Sequence, residues 1–274
     1  MKKKLLNIYK PIGWTPLEVI KELKKNPDYK DFKCSYAGRL DPMAEGVMLV
    51  LVDEMTKDQE SYQRLHKEYI ADIAFGFSTD SYDLLGLVTD MDDSSDFFKS
   101  IFLKSLDKLS GTVSLELPSF SSFEISSHPL FWWAREDRLN EIEIPKKSMN
   151  FIETSFLNKE SISKNKFSEI VISRINKVNG DFRQVKILNK WNQSLKEFNN
   201  SEILIAKVRF KCSSGTYIRS CVNFLSKKLS IPLVLFNLKR SKVGLKNIDK
   251  ESFSIDDSLQ VEDINGSKSL DMLK

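Results

Sequence analysis

Val47-Met48-Leu49-Val50-Leu51-Val52 is an unbroken apolar, β-prone run, and it constrains the fold more than any other stretch of this chain. A run of that length and character reads as a buried strand. It is entered from Tyr36-Ala37-Gly38-Arg39-Leu40-Asp41-Pro42-Met43-Ala44-Glu45-Gly46. Gly38 and Gly46 allow backbone angles that other residues resist, and Pro42 fixes its own φ while offering no ladder donor. Asp41 therefore stands in a rigid loop on the lip of a buried strand, a good mount for a catalytic group. Asp before Pro is also ordinary turn chemistry, so the stretch alone leaves structure and function both open.

The pattern on either side is that of an α/β or α+β chain with a mixed sheet. Leu5 to Lys10 reads as a strand stopped by Pro11 and Gly13. Thr15-Pro16-Leu17-Glu18 is a capping box with proline at the first helical position, predicting a helix to about Lys25 with Leu17, Val19, Ile20 and Leu23 inward. Asp53 is placed to cap a helix through about Leu65. Lys67 to Phe75 alternates as a strand, with Tyr69, Ala71, Ile73 and Phe75 on one face. Residues 96–109 make an amphipathic helix with Phe98, Ile101, Phe102, Leu106 and Leu109 as its stripe, and strands are expected at about 112–117 and 120–126. Pro129 to Leu139 reads as a short helix whose Phe131, Trp132 and Trp133 either pack a core or stack on bases. After a strand at about 150–157, residues 158–200 shift to Lys, Asn, Ser and Glu, with helices near 161–177 and after Asn179-Gly180-Asp181. That segment reads as an insertion rather than a domain. Strands at 203–212 and 232–238 flank a helix running to about Leu229, and the tail after about Asp257 is polar.

Composition narrows the function classes. The 274 residues suffice for one large domain, and a net charge of +4 is compatible with a polyanionic partner without demanding one. Cys34, Cys212 and Cys221 form no close-spaced pair and fit a reducing cytosol; with only His66 and His128 beside them, a zinc site has few ligands to draw on. The basic start at Lys2 is broken by Lys10-Pro11 too early for an export signal, and no apolar run approaches membrane-spanning length. The expectation is a soluble, cytoplasmic protein.

Three pieces carry chemistry: Asp41 in its loop, Lys67-x-Tyr69 opening a strand, and Gly215-Thr216-Tyr217-Ile218-Arg219 ahead of a helix. With Lys10-Pro11-x-Gly13, the spaced Gly76…Thr79-Asp80-x-x-Asp83-x-x-Gly86 and Leu238-Lys239-Arg240-Ser241, they stand in one order. That order resembles the TruB family of tRNA pseudouridine synthases over about residues 5–257.

The resemblance implies a pseudouridine-synthase fold, a mixed and largely antiparallel sheet flanked by helices around a central cleft. It implies isomerisation of the T-loop uridine of tRNA, with neither cofactor nor metal. Asp41 is then the catalytic carboxylate, Arg219 its ion-pair partner and Tyr69 the ring that stacks on the flipped base. Tyr36, Lys67, Tyr217, Lys10 and Arg240 fall on the substrate side, Lys67 and Lys10 mainly as support for the site or its loops. The expected partner is the tRNA T-arm stem-loop, bound by a monomer with no obligate protein partner and no membrane. The catalytic domain is expected over 1–257, with a polar tail at 258–274 and no PUA module. Tyr36 replaces a histidine usual in the family, and Glu124 a lysine, so a different tRNA or rRNA site, or a non-catalytic tRNA-folding chaperone, are the alternatives.

Overall fold

The computed structural model describes residues 3–93 and 99–244, with short stretches at 253–254 and 261–263. In chain order, β1 (Lys3–Lys10) leads to α1 (Pro16–Leu23), β2 (Cys34–Ala37) and β3 (Ala44–Asp53). A 3-10 turn (Glu54–Asp58) and α2 (Gln59–Arg64) carry the chain into β4 (Lys67–Phe75), then β5 (Phe77–Thr79) and β6 (Val88–Met91). Next come α3 (Lys99–Asp107), β7 (Gly111–Glu116), the ribbon β8 (Glu124–Ile125) with β9 (His128–Pro129), and α4 (Leu130–Arg135). β10 (Lys146–Ser163) and β11 (Glu202–Cys212) form a long hairpin tipped by α5 (Lys164–Asn176) and α6 (Gln184–Glu197). α7 (Ile218–Leu229), β12 (Leu233–Val243), β13 (Phe253–Ser254) and β14 (Val261–Asp263) follow.

Among the described residues, ten strands make one sheet in the order β14-β1-β3-β12-β4-β11-β10-β7, with β2 beside β3 and β13 beside β12. Its pairings are antiparallel except β12 with β3. The fold is thus mixed α+β with a largely antiparallel sheet, as the motifs imply. β3 is buried from Val47 to Val52 because its two faces serve different cores. Met48, Val50 and Val52 pack under α1, whereas Val47, Leu49 and Leu51 meet Met55 and Leu65. The α1 capping box forms in both directions, the Thr15 hydroxyl accepting from the Glu18 N–H and the Glu18 carboxylate from the Thr15 N–H.

The alternation of β4 separates the two larger cores. Tyr69, Ala71, Ile73 and Phe75 join the side of the sheet covered by α3 and α7. On the other side, Ala74 and Phe77 meet Phe167, Val171 and Ile187 from α5 and α6, and the Trp191 indole donates to the Leu84 carbonyl at 3.1 Å. The insertion is therefore part of the protein's core, which its polar composition hides because only one stripe of each helix turns inward.

Several local expectations change. Asp53 adopts φ 54° and makes no side-chain cap, so a 3-10 turn precedes a shorter helix. Residues 120–126 are mostly loop rather than strand, since Phe120, Ser121 and Ser122 wall a cleft. β10 runs far beyond 150–157, its polar second half held by pairing with β11 rather than by burial. Leu17 and Ile101, expected on buried stripes, are exposed, and Phe98 lies outside the described residues. β12 continues through Lys239-Arg240 to Val243 instead of ending there. Within the expected tail, Val261–Asp263 pair with β1; the other residues of 258–274 lie outside the described residues.

Candidate active site

β3 has one edge shared by two strands. β2 pairs with Leu49–Val52, and β12 pairs in parallel with Ala44–Gly46, so the sheet forks between them. The Asp41 loop connects β2 to β3 at this fork. A fork leaves carbonyls without ladder partners, and unpaired buried carbonyls are costly. Arg240, reaching from β12 and only 1% exposed, answers that need. Its Nε donates to the Val47 carbonyl at 2.6 Å, Nη1 to Arg39 at 3.1 Å and Nη2 to Gly38 at 3.2 Å. From the opposite side, the Gly13 N–H donates to the Pro42 carbonyl at 2.8 Å. Asp41 sits on a loop pinned by two other motifs.

Arg219 lies in the first turn of α7, where the helix dipole disfavours a cation. Two carboxylates offset this. Arg219 Nε lies 2.8 Å from Asp41 Oδ2 and 3.8 Å from Asp83 Oδ2. Nη1 reaches the carbonyls of Ser81 at 3.2 Å and Phe120 at 3.3 Å, and Nη2 shares the Phe120 carbonyl at 3.3 Å. Burial works against the guanidinium charge, but Asp41 and Asp83 outweigh it and hold its pKa above the ordinary value. The Asp41 side chain is 41% exposed while that of Arg219 is 6% exposed, so the carboxylate faces outward with its countercharge beneath. Asp83 is buried, and burial raises its pKa against the opposing pull of Arg219. Its Oδ1 accepts from the Ser81 hydroxyl at 2.7 Å and from the Leu85 N–H at 2.9 Å.

Asp41 opens into a cleft of about 710 Å³. Arg219, Tyr69, Tyr217, Tyr36, Lys67 and Arg240 line it as well. Tyr69 is nearly buried and its pKa is raised by that burial; burial also raises the pKa of Tyr217. One of the residues expected on the substrate side needs correction. Lys10 is fully buried and is not in the cleft wall, because its Nζ donates to the carbonyls of Pro11 at 2.9 Å and Trp14 at 2.7 Å. Arg240 borders the cleft and commits three of its five N–H groups to the carbonyls already named. Lys67 likewise donates to Gln63 and Leu65 carbonyls while touching the cleft. These bonds of the three cations all go to backbone carbonyls around the site, which they help to hold in place.

Burial lowers the Lys10 pKa to about 7, with Asp41 the chief opposing influence. An unfolded lysine keeps its proton to much higher pH. Between about pH 7 and pH 10 the unfolded chain therefore binds the extra proton, and stability rises with pH through this group. Below that window both states are charged and the full cost of burial remains. We expect urea unfolding across pH 6–10 to show a rise that Lys10→Met makes shallower, by up to about 1.4 kcal/mol per pH unit. Lys67, whose pKa burial lowers to about 8, contributes with the same sign and remains. Parallel curves for the two proteins would show that Lys10 keeps its proton in the fold.

Asp83 and the loop Asp181-Phe182-Arg183 were not singled out as site residues by sequence, yet both line the cleft. Asp83 had a signal in its spacing from Thr79 and Gly86; Arg183 had none, since its partners come from other segments. Among the described residues no group of three or more His, Cys, Asp and Glu side chains is placed to hold a metal ion. No helix among them is long and apolar enough to cross a membrane.

The forked, largely antiparallel sheet has a counterpart among solved structures. A chain of a solved Cbf5-Nop10-Gar1 complex shares the fold, with TM-score 0.53 and 16% identity, over 88% of this chain and 49% of that one. This chain thus spans about half of that longer one. Residues 24–174 match the family described as TruB family pseudouridylate synthase (N terminal domain), and the chain belongs to the TruB family. Similar proteins include the tRNA pseudouridine synthase B of Clostridium tetani, 27% identical over 95% of this chain and 72% of that protein. That of Fusobacterium nucleatum is 30% identical over 88% and 67% respectively, and that of Bacteroides fragilis 28% over 88% and 86%.

Proposed function

We propose that this protein converts the T-loop uridine of tRNA into pseudouridine, with Asp41 as the catalytic carboxylate. The observation that carries the reading is the half-exposed Asp41 carboxylate held 2.8 Å from a buried Arg219 at the wall of the cleft. The reaction breaks the uridine N1–C1′ bond, turns the base in place, joins C1′ to C5 and releases the C5 proton. A carboxylate beside the ribose serves either as nucleophile at C1′ or as base at C2′, and both roles need an oxygen open to the sugar. Asp41 offers one, while Arg219 fixes its orientation. Tyr69 offers a ring at the cleft wall on which an extruded base can stack. The relatives bear the name tRNA pseudouridine synthase B, which supports tRNA as the substrate class. The reaction so written is an isomerisation that balances without a co-reactant, so the protein is expected to work without an added cofactor.

The direct test is tritium release from a T-arm stem-loop transcript labelled at C5 of its loop uridine, with purified protein and no cofactor. Release at multiple turnovers is expected. Release from bulk cellular RNA but not from the stem-loop would keep the chemistry and move the target, to which Tyr36 at the cleft wall would then be the clue. No release from any RNA, with tRNA binding retained, would replace the enzyme by an RNA-folding chaperone.

A further inference from the structure

The loop between α5 and α6 reaches the cleft, and what it touches there is specific. Arg183 holds a left-handed backbone conformation at φ 65°, supported by the Asp181 carboxylate, which accepts its N–H at 3.2 Å. Gln184 fixes the same turn, accepting from the Phe182 N–H at 2.8 Å and donating to the Val178 and Gly180 carbonyls. From this mount the Arg183 guanidinium forms a fork on Asp80, Nη1 to Oδ2 at 2.9 Å and Nη2 to Oδ1 at 3.3 Å. It also lies over the Phe120 ring, 4.0 Å from the centroid. Both members of the ion pair are mostly screened from water, at 19% and 24% side-chain exposure, so it escapes much of the screening that makes surface pairs weak.

The two segments that Arg183 joins are the two that clamp Arg219. Asp80 precedes Ser81 and Asp83, whose carbonyl and carboxylate face the Arg219 guanidinium; Phe120 supplies the carbonyl on which Nη1 and Nη2 converge. A second tie runs alongside, from Arg135 Nη2 to the Asp181 carboxylate at 2.8 Å. Arg135 is exposed there and adds little. Arg183 is different in kind, because neither clamp segment is covalently close to the other and its fork and stack connect them directly.

We infer that Arg183 is a positioning residue for the Arg219–Asp41 pair, through which the two-helix insertion completes the active site. It touches no reacting atom. It holds the Ser81–Asp83 and Phe120 segments at the spacing that keeps Arg219 aimed at Asp41. The inference rests on the proposed reaction for its kinetic test but not for its structural one.

The experiment compares wild type with Arg183→Ala, Arg183→Lys, Asp80→Asn and Phe120→Leu, using single-turnover and steady-state tritium release, stem-loop affinity, and nitrogen-15 NMR of arginine Nε–H groups. The Arg219 signal is assigned by its loss in Arg219→Lys. Arg183→Ala is expected to lower kcat on the order of tenfold to a hundredfold, with stem-loop Kd nearly unchanged. Arg183→Lys should restore part of the rate, since it keeps the charge and loses the fork and the stack. The buried Arg219 Nε–H is expected to exchange slowly in wild type and faster in Arg183→Ala.

Unchanged kcat with weakened affinity and a salt slope reduced by about one would make Arg183 a phosphate ligand and overturn the inference. A lowered Tm with normal kcat in the folded fraction would reduce it to a stabilising contact and also overturn it. If Arg183→Ala does not fold, Asp80→Asn and Phe120→Leu carry the same expectations. Absence of release from wild type would defeat the proposed reaction alone; the Arg219 signal would still decide the positioning role.

Discussion

Asp41→Asn should abolish turnover, by about 10⁴-fold or more, while leaving the fold and RNA affinity close to wild type. Asparagine keeps the size of the side chain and an oxygen that can face Arg219. It removes the negative charge, and with it any capacity to attack C1′ or take a proton from C2′. The stability change should be small, because the Asp41 side chain is 41% exposed and the ion pair is partly screened. Arg219 also keeps its bonds to the Ser81 and Phe120 carbonyls. Tritium release, a binding isotherm and a thermal melt together check this. Wild-type turnover in Asp41→Asn would refute the assignment, and Asp83 could not readily inherit it. Asp83 Oδ2 lies 3.8 Å from Arg219, its side chain is 7% exposed, and Oδ1 is committed to Ser81 and Leu85. A carboxylate so enclosed supports the arginine; it has no open face for a ribose.

What could be read from residues alone was what local pattern and motif report. The apolar run of β3, the reciprocal Thr15–Glu18 cap and the inward face of β4 needed no knowledge of partners, and all formed as expected. Asp41 and Arg219 are far apart in the chain, and only the resemblance proposed them as a pair; the structure puts their side chains 2.8 Å apart. Several of the failures share one physical cause, that partners from distant segments overrode local composition. Lys239-Arg240 reads as the end of a strand, yet β12 continues because Arg240 turns inward to satisfy carbonyls at the fork. β2 is four residues long and pairs with the edge of β3, with Gln59 Nε2 donating to its Tyr36 carbonyl. The polar insertion hides Phe167 and Trp191 on single helical stripes, and Arg183 gains its meaning only from Asp80 and Phe120. Lys10 falls on the substrate side by the resemblance, whereas burial makes it an internal donor behind the loop.

The same fork makes Gly46 the most sensitive small residue beside the site. It holds φ +114°, and a Cβ there would lie 2.2 Å from the Arg240 carbonyl oxygen and 2.9 Å from that residue's carbonyl carbon and its nitrogen. The obstacle is backbone, not a side chain that can swing away. Gly46→Ala must therefore separate β12 from β3 where the two pair in parallel and Gly46 faces Arg240. Moving Arg240 also loosens its hold on the Val47, Arg39 and Gly38 carbonyls. Strained backbone and broken pairing together should cost about 3–5 kcal/mol, near the upper limit for a single substitution. Gly111→Ala is the matched control: φ is +66° there, and an added Cβ meets nothing within 4 Å. It should cost only the left-handed strain, about 1–2 kcal/mol. Urea unfolding of both variants measures the difference, and equal losses would mean that β12 yields freely at the fork. A large loss at Gly46 should be accompanied by a fall in turnover of the protein that remains folded. Asp41 is mounted on the loop Arg240 pins, so a displaced Arg240 moves the carboxylate as well as weakening the sheet.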